Sequence, residues 1–278
     1  MNGEERKKRS GFLAIKKEKA YNRRAEEAEK PMNPDRVIAV RTGKTIYRDG
    51  ENCIKTFDGD YSVPDVFSEA LKQSLAAEAG LNAPAIKGVE SVNGRLAIVS
   101  GFIRGETMEA AMREHSAKKD EYLRRMAALQ CGIHKKEGLF FETFKRKAAE
   151  KIKISEADED VKQKLLLAAE ALPEGNSSLH GDLTAANVIF GDDGRDYVLD
   201  WAHAENGEPA ADAAITYLSF LLKNGKETAD KYLACFCSLS GESEAAVQKY
   251  IPLAAAVKAA RSNEDERKAL LKIAADTI

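Results

Sequence analysis

The sequence contains no long apolar run, and this excludes a chain built from membrane-spanning helices. No stretch approaches the roughly 20 apolar residues that a helix needs to cross a bilayer, and residues 11–15 are too short for a secretory core region. An excess of one charge is also missing, since 43 Lys and Arg stand against 45 Asp and Glu. These absences predict a cytoplasmic protein with neither a membrane nor a nucleic-acid partner.

Cysteine is scarce as well, and the four that occur lack the two paired ligand sets of a zinc site. We therefore predict buried, reduced thiols at Cys53, Cys131, Cys235 and Cys237. What is present is 44% apolar and 32% charged residues in a chain of 278, a mixture typical of a folded globular protein. The length allows one large domain or two lobes that share a cleft.

Local signals divide the chain into three parts. Residues 1–33 form a highly charged extension, predicted to fray or to form a solvated helix. Residues 34–103 contain short β-type runs and one helix in the order β-β-β-α-β-β, with Asp49-Gly50 and Asn93-Gly94 as hairpin turns. Ser62 is the predicted cap of that helix, which should end near residue 79.

Residues 104–278 are predicted to be mostly helical, which makes the fold class α+β: a five-stranded antiparallel N-terminal lobe with one helix, and an α-helical C-terminal lobe. One β-rich interruption is expected at 187–190 and 197–199. The predicted helices are 108–114, 120–135, 141–153, 158–172, 211–222, 228–238, 244–260 and 264–274.

The β-rich interruption also carries the polar residues that are most informative about chemistry. Asp182, Asn187 and Asp200 follow one another at steps of five and thirteen, on a short loop, at a strand start and at the end of its hairpin partner. Such positions can converge on one point, and Mg²⁺ prefers oxygen ligands of this kind. We predict that Asn187 and Asp200 bind the metal and that Asp182, beside them, is the catalytic base for an attacking hydroxyl.

The pattern His180-Gly181-Asp182-Leu-x-x-x-Asn187-Val-Ile, a short hairpin and then Val-Leu-Asp200-Trp closely resembles the aminoglycoside phosphotransferase and choline-kinase-like superfamily. The resemblance covers the chain from about residue 36 onward and implies a bilobal, protein-kinase-like fold. It implies that Asp182 is the catalytic residue, that Asn187 and Asp200 hold Mg²⁺, and that His180 braces the catalytic loop. The segment 183–186, Leu-Thr-Ala-Ala, departs from the aromatic or His followed by Pro that relatives often carry.

The same resemblance places the nucleotide. Lys55 resembles the lysine that contacts the α- and β-phosphates, and Glu69 is its expected partner. Glu78 lies on the same helix but half a turn away, so both acids cannot face Lys55. The strand that ends near Gly101 resembles the hinge between the lobes, where the Gly101 carbonyl and the Ile103 amide are expected to contact adenine.

Two further positions are given roles by resemblance. Asp212 matches a residue that supports the active-site loops, and His134 lies where relatives often carry a helical histidine that packs. The acids Glu205, Glu208 and Glu227 could meet a cationic acceptor or could simply be solvated helix ends.

The predicted activity is transfer of the γ-phosphate of ATP, with GTP as an open alternative, to a hydroxyl of a small molecule in the presence of Mg²⁺. An aminoglycoside- or choline-like acceptor fits the resemblance. A protein kinase is disfavoured because neither Asp-Phe-Gly nor Ala-Pro-Glu follows Asp200. The rival from another class is a nucleotide-binding pseudokinase that acts through a protein partner. The oligomeric state is left open, and a monomer is compatible with the sequence.

Overall fold

Five strands of the N-terminal half form one antiparallel sheet, as predicted, and their order in the sheet is β1-β2-β3-β5-β4. The structure is a computed structural model, and it describes residues 36–41, 43–59 and 61–278. The predicted charged extension over 1–33 lies outside these residues. The strands are β1 Arg36–Arg41, β2 Lys44–Asp49, β3 Asn52–Phe57, β4 Ile86–Val92 and β5 Arg95–Gly101.

Two tight turns set the register of this sheet. Asn93 and Gly94 both have positive φ, 51° and 77°, between β4 and β5. Two successive positive φ angles match the twist of an antiparallel pair, which is why Asn-Gly is favoured there. Gly50, with φ 56°, makes the corresponding turn between β2 and β3.

Helix α1, Val63–Glu78, packs on this sheet after the predicted cap. The Ser62 hydroxyl accepts a hydrogen bond from the Asp65 amide at 3.3 Å. The buried face contains Val66 and Glu69, whereas Phe67 is 54% exposed. The helix therefore directs a carboxylate, rather than its largest apolar side chain, toward the interior of the molecule.

The C-terminal half is mostly helical, as predicted, and includes two small sheets. The helices are α2 Met108–Glu114, α3 Lys119–His134, α4 Phe144–Lys153, α5 Glu159–Ala171, α6 Pro209–Asn224, α7 Lys226–Ser240, α8 Glu244–Gln248, α9 Ile251–Ala259 and α10 Glu264–Thr277. The strands are β6 Gly105–Thr107, β7 Ser177–Leu179, β8 Val188–Gly191, β9 Asp196–Val198 and β10 Glu205–Gly207. One sheet has the order β6-β8-β9 and the other pairs β10 with β7.

The expectation of one helix over 244–260 is wrong. The chain leaves α8 at Gln248 and begins α9 at Ile251, with Pro252 in the first turn of α9. Proline lacks the N–H that a helix interior needs but is tolerated in a first turn, so it favours a new helix start at this point.

The larger hydrophobic core lies in the C-terminal half and surrounds Trp201, which is fully buried. The Trp201 indole N–H donates to the Val198 carbonyl at 2.9 Å, so its polar atom is satisfied in the core. The four cysteines are free but half-buried, less buried than predicted. Within the described ranges, no helix is long and apolar enough to span a bilayer.

Gly105, where the chain passes from the sheet into the helical half, permits a close backbone approach. Its φ is +146°, and a Cβ there would overlap the carbonyl oxygen of Phe190 in β8.

We expect Gly105→Ala to lower the free energy of unfolding by more than about 2 kcal/mol, because both strain and a backbone clash result. Urea unfolding measures this.

Gly50→Ala is the matched control, because Gly50 also has positive φ but a Cβ there meets nothing within 4 Å. We expect it to cost about 1 kcal/mol, the steric cost of the left-handed conformation alone. Equal losses in the two variants would contradict the close approach at Gly105.

Candidate active site

Lys55 joins the two halves of the molecule. It lies on β3, and its ammonium group forms ion pairs with Glu69 of α1 and with Oδ1 of Asp200, the latter at 3.0 Å. Lys44 on β2 contacts the other Glu69 oxygen at 3.1 Å. The Lys55 side chain is 15% exposed and the Glu69 side chain 5%, so these charges lie largely out of water.

Mutual attraction keeps the central groups ionised. Burial by itself would raise the pKa of Asp200, but Lys55 and Lys44 outweigh it and hold that pKa below its ordinary range. Burial likewise acts to lower the pKa of Lys55, yet Asp200 and Glu69 raise it above its ordinary value. Lys55 and Asp200 are therefore both charged at neutral pH.

Asp182 lies on the loop between β7 and β8. Its Oδ1 atom is 3.1 Å from Arg261 Nη2 and 3.4 Å from Lys258 Nζ. The Asn187 side-chain nitrogen Nδ2 donates to the Asp182 carbonyl at 3.0 Å, which directs the Asn187 side chain, and no described residue donates to its Oδ1 atom. Asp182 and Asn187 are thus held together by the loop itself.

Asp200 has a strained backbone, with φ 62° in the left-handed region. Hydrogen bonds of the preceding residue, Leu199, hold Asp200 in this conformation. The Leu199 amide donates to the Asn187 carbonyl at 2.8 Å. The Leu199 carbonyl lies 2.9 Å from His180 Nε2. Strain of this kind persists only where surrounding contacts enforce it, and it is concentrated at functional sites.

Asp212, in the first turn of α6, holds the loop between β7 and β8 in place. Its buried carboxylate accepts from the amides of His180 at 3.2 Å and Gly181 at 2.8 Å. His134 Nε2 lies 2.9 Å from the same group, so His134 is a hydrogen-bond partner and not merely a packing residue. Burial acts to raise the pKa of Asp212, but the bond with His134 outweighs it and lowers the pKa to about 2.

The structure brings most of the predicted site residues together. Contacts run from Glu69 to Lys55, from Lys55 to Asp200, and from the Leu199 amide beside Asp200 through Asn187 to Asp182. The hinge residues lie apart from this group.

Gly101 ends β5, paired with Asn52, and its amide donates to Ala85; Ile103 lies two residues beyond the strand. Lys55 on β3 pairs with Ile98 on β5, so the predicted phosphate contact lies on the strand next to the one that leads to the predicted adenine contacts.

Known proteins place this arrangement in a family. The family model described as APH: Phosphotransferase enzyme family matches residues 45–250, more than half of the chain. The chain belongs to this phosphotransferase family. This confirms the resemblance inferred from the sequence motifs. Among curated proteins, no match was found.

Solved structures of similar proteins agree with the family. An aminoglycoside phosphotransferase APH(4)-Ia mutant in a ternary complex with ADP and hygromycin B is 14% identical, with a TM-score of 0.65 over 87% of this chain and 92% of that one. A choline/ethanolamine kinase family protein from Mesorhizobium loti is 13% identical, with a TM-score of 0.64 over 90% and 89%. Choline kinase LicA from Streptococcus pneumoniae is 14% identical, with 0.64 over 86% and 90%. At such low identity these likenesses establish the fold, and they confirm the predicted class.

The oxygen donors Asn187 and Asp200 of this phosphotransferase suit a metal ion that binds together with a nucleotide. In the described part of the chain, no three His, Cys, Asp or Glu residues cluster as a metal site. Asn187 and Asp200 offer two hard oxygen donors, and Mg²⁺ commonly completes its shell with phosphate oxygens and water. The residues present therefore fit Mg²⁺ bound together with a nucleotide.

Three cationic residues of the site were missed by sequence reasoning. Lys44 had a weak signal, because it follows Gly43 in the turn before β2. Lys258 and Arg261 had none, since they lie 76 and 79 residues from Asp182 along the chain. Only tertiary folding reveals contacts of such separation.

Asp212→Asn tests the buried support. Because the pKa of Asp212 is lower in the folded state, its ionised form contributes stability above about pH 4, and this stability is lost as the pH falls toward 2. We expect Asp212→Asn to cost on the order of 2 kcal/mol at pH 7 and about half as much at pH 3. Urea unfolding of both proteins at the two pH values measures the difference.

The control is Asp265→Asn, an exposed acid in the first turn of α10. It removes the same charge without the buried network and should change stability little at either pH. An Asp212→Asn loss that is independent of pH would contradict the ionised role.

Proposed function

We propose that this phosphotransferase transfers the γ-phosphate of ATP to a hydroxyl of a small molecule with the help of Mg²⁺. The observation that carries the proposal is the Lys55–Asp200 ion pair, at 3.0 Å, beside the Asn187–Asp182 loop. Together these contacts bring a phosphate-binding cation, two metal ligands and a base into one proposed site. Phosphoryl transfer needs this set of parts and little covalent chemistry from the protein.

In this proposal the N-terminal sheet binds the nucleotide. Lys55 offsets charge on the α- and β-phosphates, and Glu69 keeps the Lys55 ammonium in place. Lys44, which shares Glu69, adds a second cation on the same side. The Gly101 carbonyl and the Ile103 amide contact the adenine, and GTP is the alternative base to be compared.

Asn187 and Asp200 hold Mg²⁺ in the proposed complex. The lowered pKa of Asp200 supports this role, because a metal ligand must be ionised. When bound, the ion neutralises phosphate charge and aligns the phosphate for in-line attack. The oxygen donors themselves are positioned by the backbone bonds around Leu199.

Asp182 receives the acceptor in the proposed reaction. Its side chain is 24% exposed, so a substrate hydroxyl can reach it. The hydroxyl oxygen forms a bond to the γ-phosphorus as the bond to the β-phosphate oxygen breaks, and the hydroxyl proton passes to Asp182. No covalent enzyme intermediate is required.

The pseudokinase alternative lacks a supporting observation. It would be favoured by the loss of a core polar residue, whereas Lys55, Glu69, Asp182, Asn187 and Asp200 are all present and adjacent. The remaining expectations, a small-molecule partner, a cytoplasmic location and a lobe boundary between 103 and 104, stay predictions. That boundary falls between β5 and β6.

Two aspartate variants separate the assigned roles. We expect Asp182→Asn to bind Mg²⁺-ATP normally and to reduce kcat by about 10²–10⁴-fold, because the base is lost. We expect Asp200→Asn to weaken Mg²⁺-nucleotide binding by at least about tenfold, because a ligand of the metal is lost. Calorimetric titration with nucleotide and mass detection of phosphorylated product, over a panel of hydroxyl compounds, give the two readouts.

Asp193→Asn is the matched control, since Asp193 is an exposed acid on the β8–β9 hairpin that bonds Arg195. It should leave both readouts unchanged. Equal loss of binding and turnover in both active-site variants would refute the division of roles, and a wild-type protein that binds no nucleotide would refute the proposed function.

A further inference from the structure

The site contains two separate groups of cations. Lys55 and Lys44 contact Asp200 and Glu69, at the end where the proposed nucleotide phosphates lie. Lys258 of α9 and Arg261, just after α9, form the second group. These two cations are called the Asp182 pair below, because both contact Asp182. Both contact Asp182 through the same oxygen, Oδ1.

Arg261 has donor capacity that the protein does not use. Its Nη2 atom donates to the Gly181 carbonyl at 2.6 Å and to Asp182 at 3.1 Å. Its Nη1 atom is buried and, within the described residues, has no hydrogen-bond partner. A buried guanidinium donor without a partner is costly, and its fork geometry suits a carboxylate or phosphate.

Lys258 strengthens the positive character at this point. The whole residue is 9% exposed, and its ammonium group has Asp182 as its ion-pair partner in the described structure. One carboxylate thus faces two cations. A second anion could be accommodated here without leaving either cation unpaired.

Two of the acids that the sequence offered as partners for a cationic acceptor already form ion pairs within the protein. Glu205 is fully buried and forms an ion pair with Lys147 at 3.0 Å. Glu227 is exposed and contacts Lys231 at 3.3 Å on α7. Among the described contacts neither Glu205 nor Glu227 pairs with a group of the Asp182 loop, so neither of these two acids serves as a counter-charge for a cationic acceptor at Asp182.

We propose that the Asp182 pair, Lys258 and Arg261, is an acceptor subsite that binds a carboxylate or phosphate group of the hydroxyl compound to be phosphorylated. This inference rests on the proposed function and names its substrate class: an anionic alcohol rather than an aminoglycoside- or choline-like cation. A cationic amine would meet two like charges at the position where its hydroxyl must approach Asp182.

The same anion chemistry could also serve the transferred phosphate of the nucleotide. The acceptor is favoured because both cations contact the carboxylate that is proposed to take the hydroxyl proton, whereas Lys55 and Lys44 lie on the side of Asp200 and Glu69. Nucleotide affinity distinguishes the two sources.

The test compares three sugars that share hydroxyl groups but differ in charge: gluconate, glucose and glucosamine. The protein is saturated with Mg²⁺ and a non-hydrolysable ATP analogue, and sugar binding and inorganic phosphate binding are measured by calorimetry. Phosphorylation with ATP is followed by product mass in parallel. We expect wild type to bind gluconate at least about tenfold tighter than glucose, and glucosamine more weakly still.

The variants Arg261→Gln and Lys258→Gln should each weaken gluconate and inorganic phosphate binding by about tenfold while leaving the affinity for the ATP analogue unchanged. Lys258→Gln matters because Arg261 also donates to the Gly181 main-chain carbonyl of the loop, whereas the described contact of the Lys258 ammonium group with the loop is with the Asp182 side chain. Arg261→Lys should restore part of the anion affinity. Lys268→Gln, an exposed lysine of α10 paired with Glu264, is the charge-matched control and should behave as wild type.

Three results would overturn the inference. They are phosphorylation of glucosamine in preference to gluconate, equal inorganic phosphate affinity in wild type and both variants, and a loss of nucleotide affinity that matches the loss of gluconate. Failure of the proposed function looks different: no binding of the ATP analogue and no product from ATP. In that case the comparison of inorganic phosphate binding between wild type and the variants still decides the anion subsite.

Discussion

The pairing of Lys55 with both Glu69 and Asp200 is the interaction on which the site depends. It connects β3, α1 and the segment after β9 in one group of charges, in which Lys55 and Glu69 are largely buried and Asp200 is partly exposed. Burying one such charge without its partners would be strongly unfavourable, so the three elements are stable in this arrangement only together. This is why α1 turns Glu69 inward and leaves Phe67 largely exposed.

The rest of the site is positioned mainly by backbone hydrogen bonds. Leu199, next to Asp200, bonds Asn187 and His180 through its own amide and carbonyl. Asp212 accepts two loop amides from the opposite direction. The segments that carry the proposed site residues are therefore positioned by main-chain groups whose loss would disturb the fold.

Sequence signals located the elements that have local causes. Asn93-Gly94 and the Ser62 cap predicted the β4–β5 hairpin and α1, and the spacing of Asp182, Asn187 and Asp200 predicted a cluster. Strands β6, β7 and β10 were not predicted, because three residues are too few for a hydrophobic period to appear in the sequence. The cations beside Asp182 were not predicted either. The end of α9 contacts the Asp182 loop only through tertiary packing, and a local sequence pattern does not indicate a contact of that kind.

Strand β6 has a geometric consequence for the whole cleft. It begins at Gly105, shortly after the chain leaves β5, and pairs with β8, the strand that follows Asn187 directly. One three-residue strand thus spans the interval between the predicted adenine contacts and the predicted metal ligands. The spacing of these two predicted groups is consequently fixed by main-chain pairing rather than by side chains, and it should tolerate wide variation in the side chains of this strand.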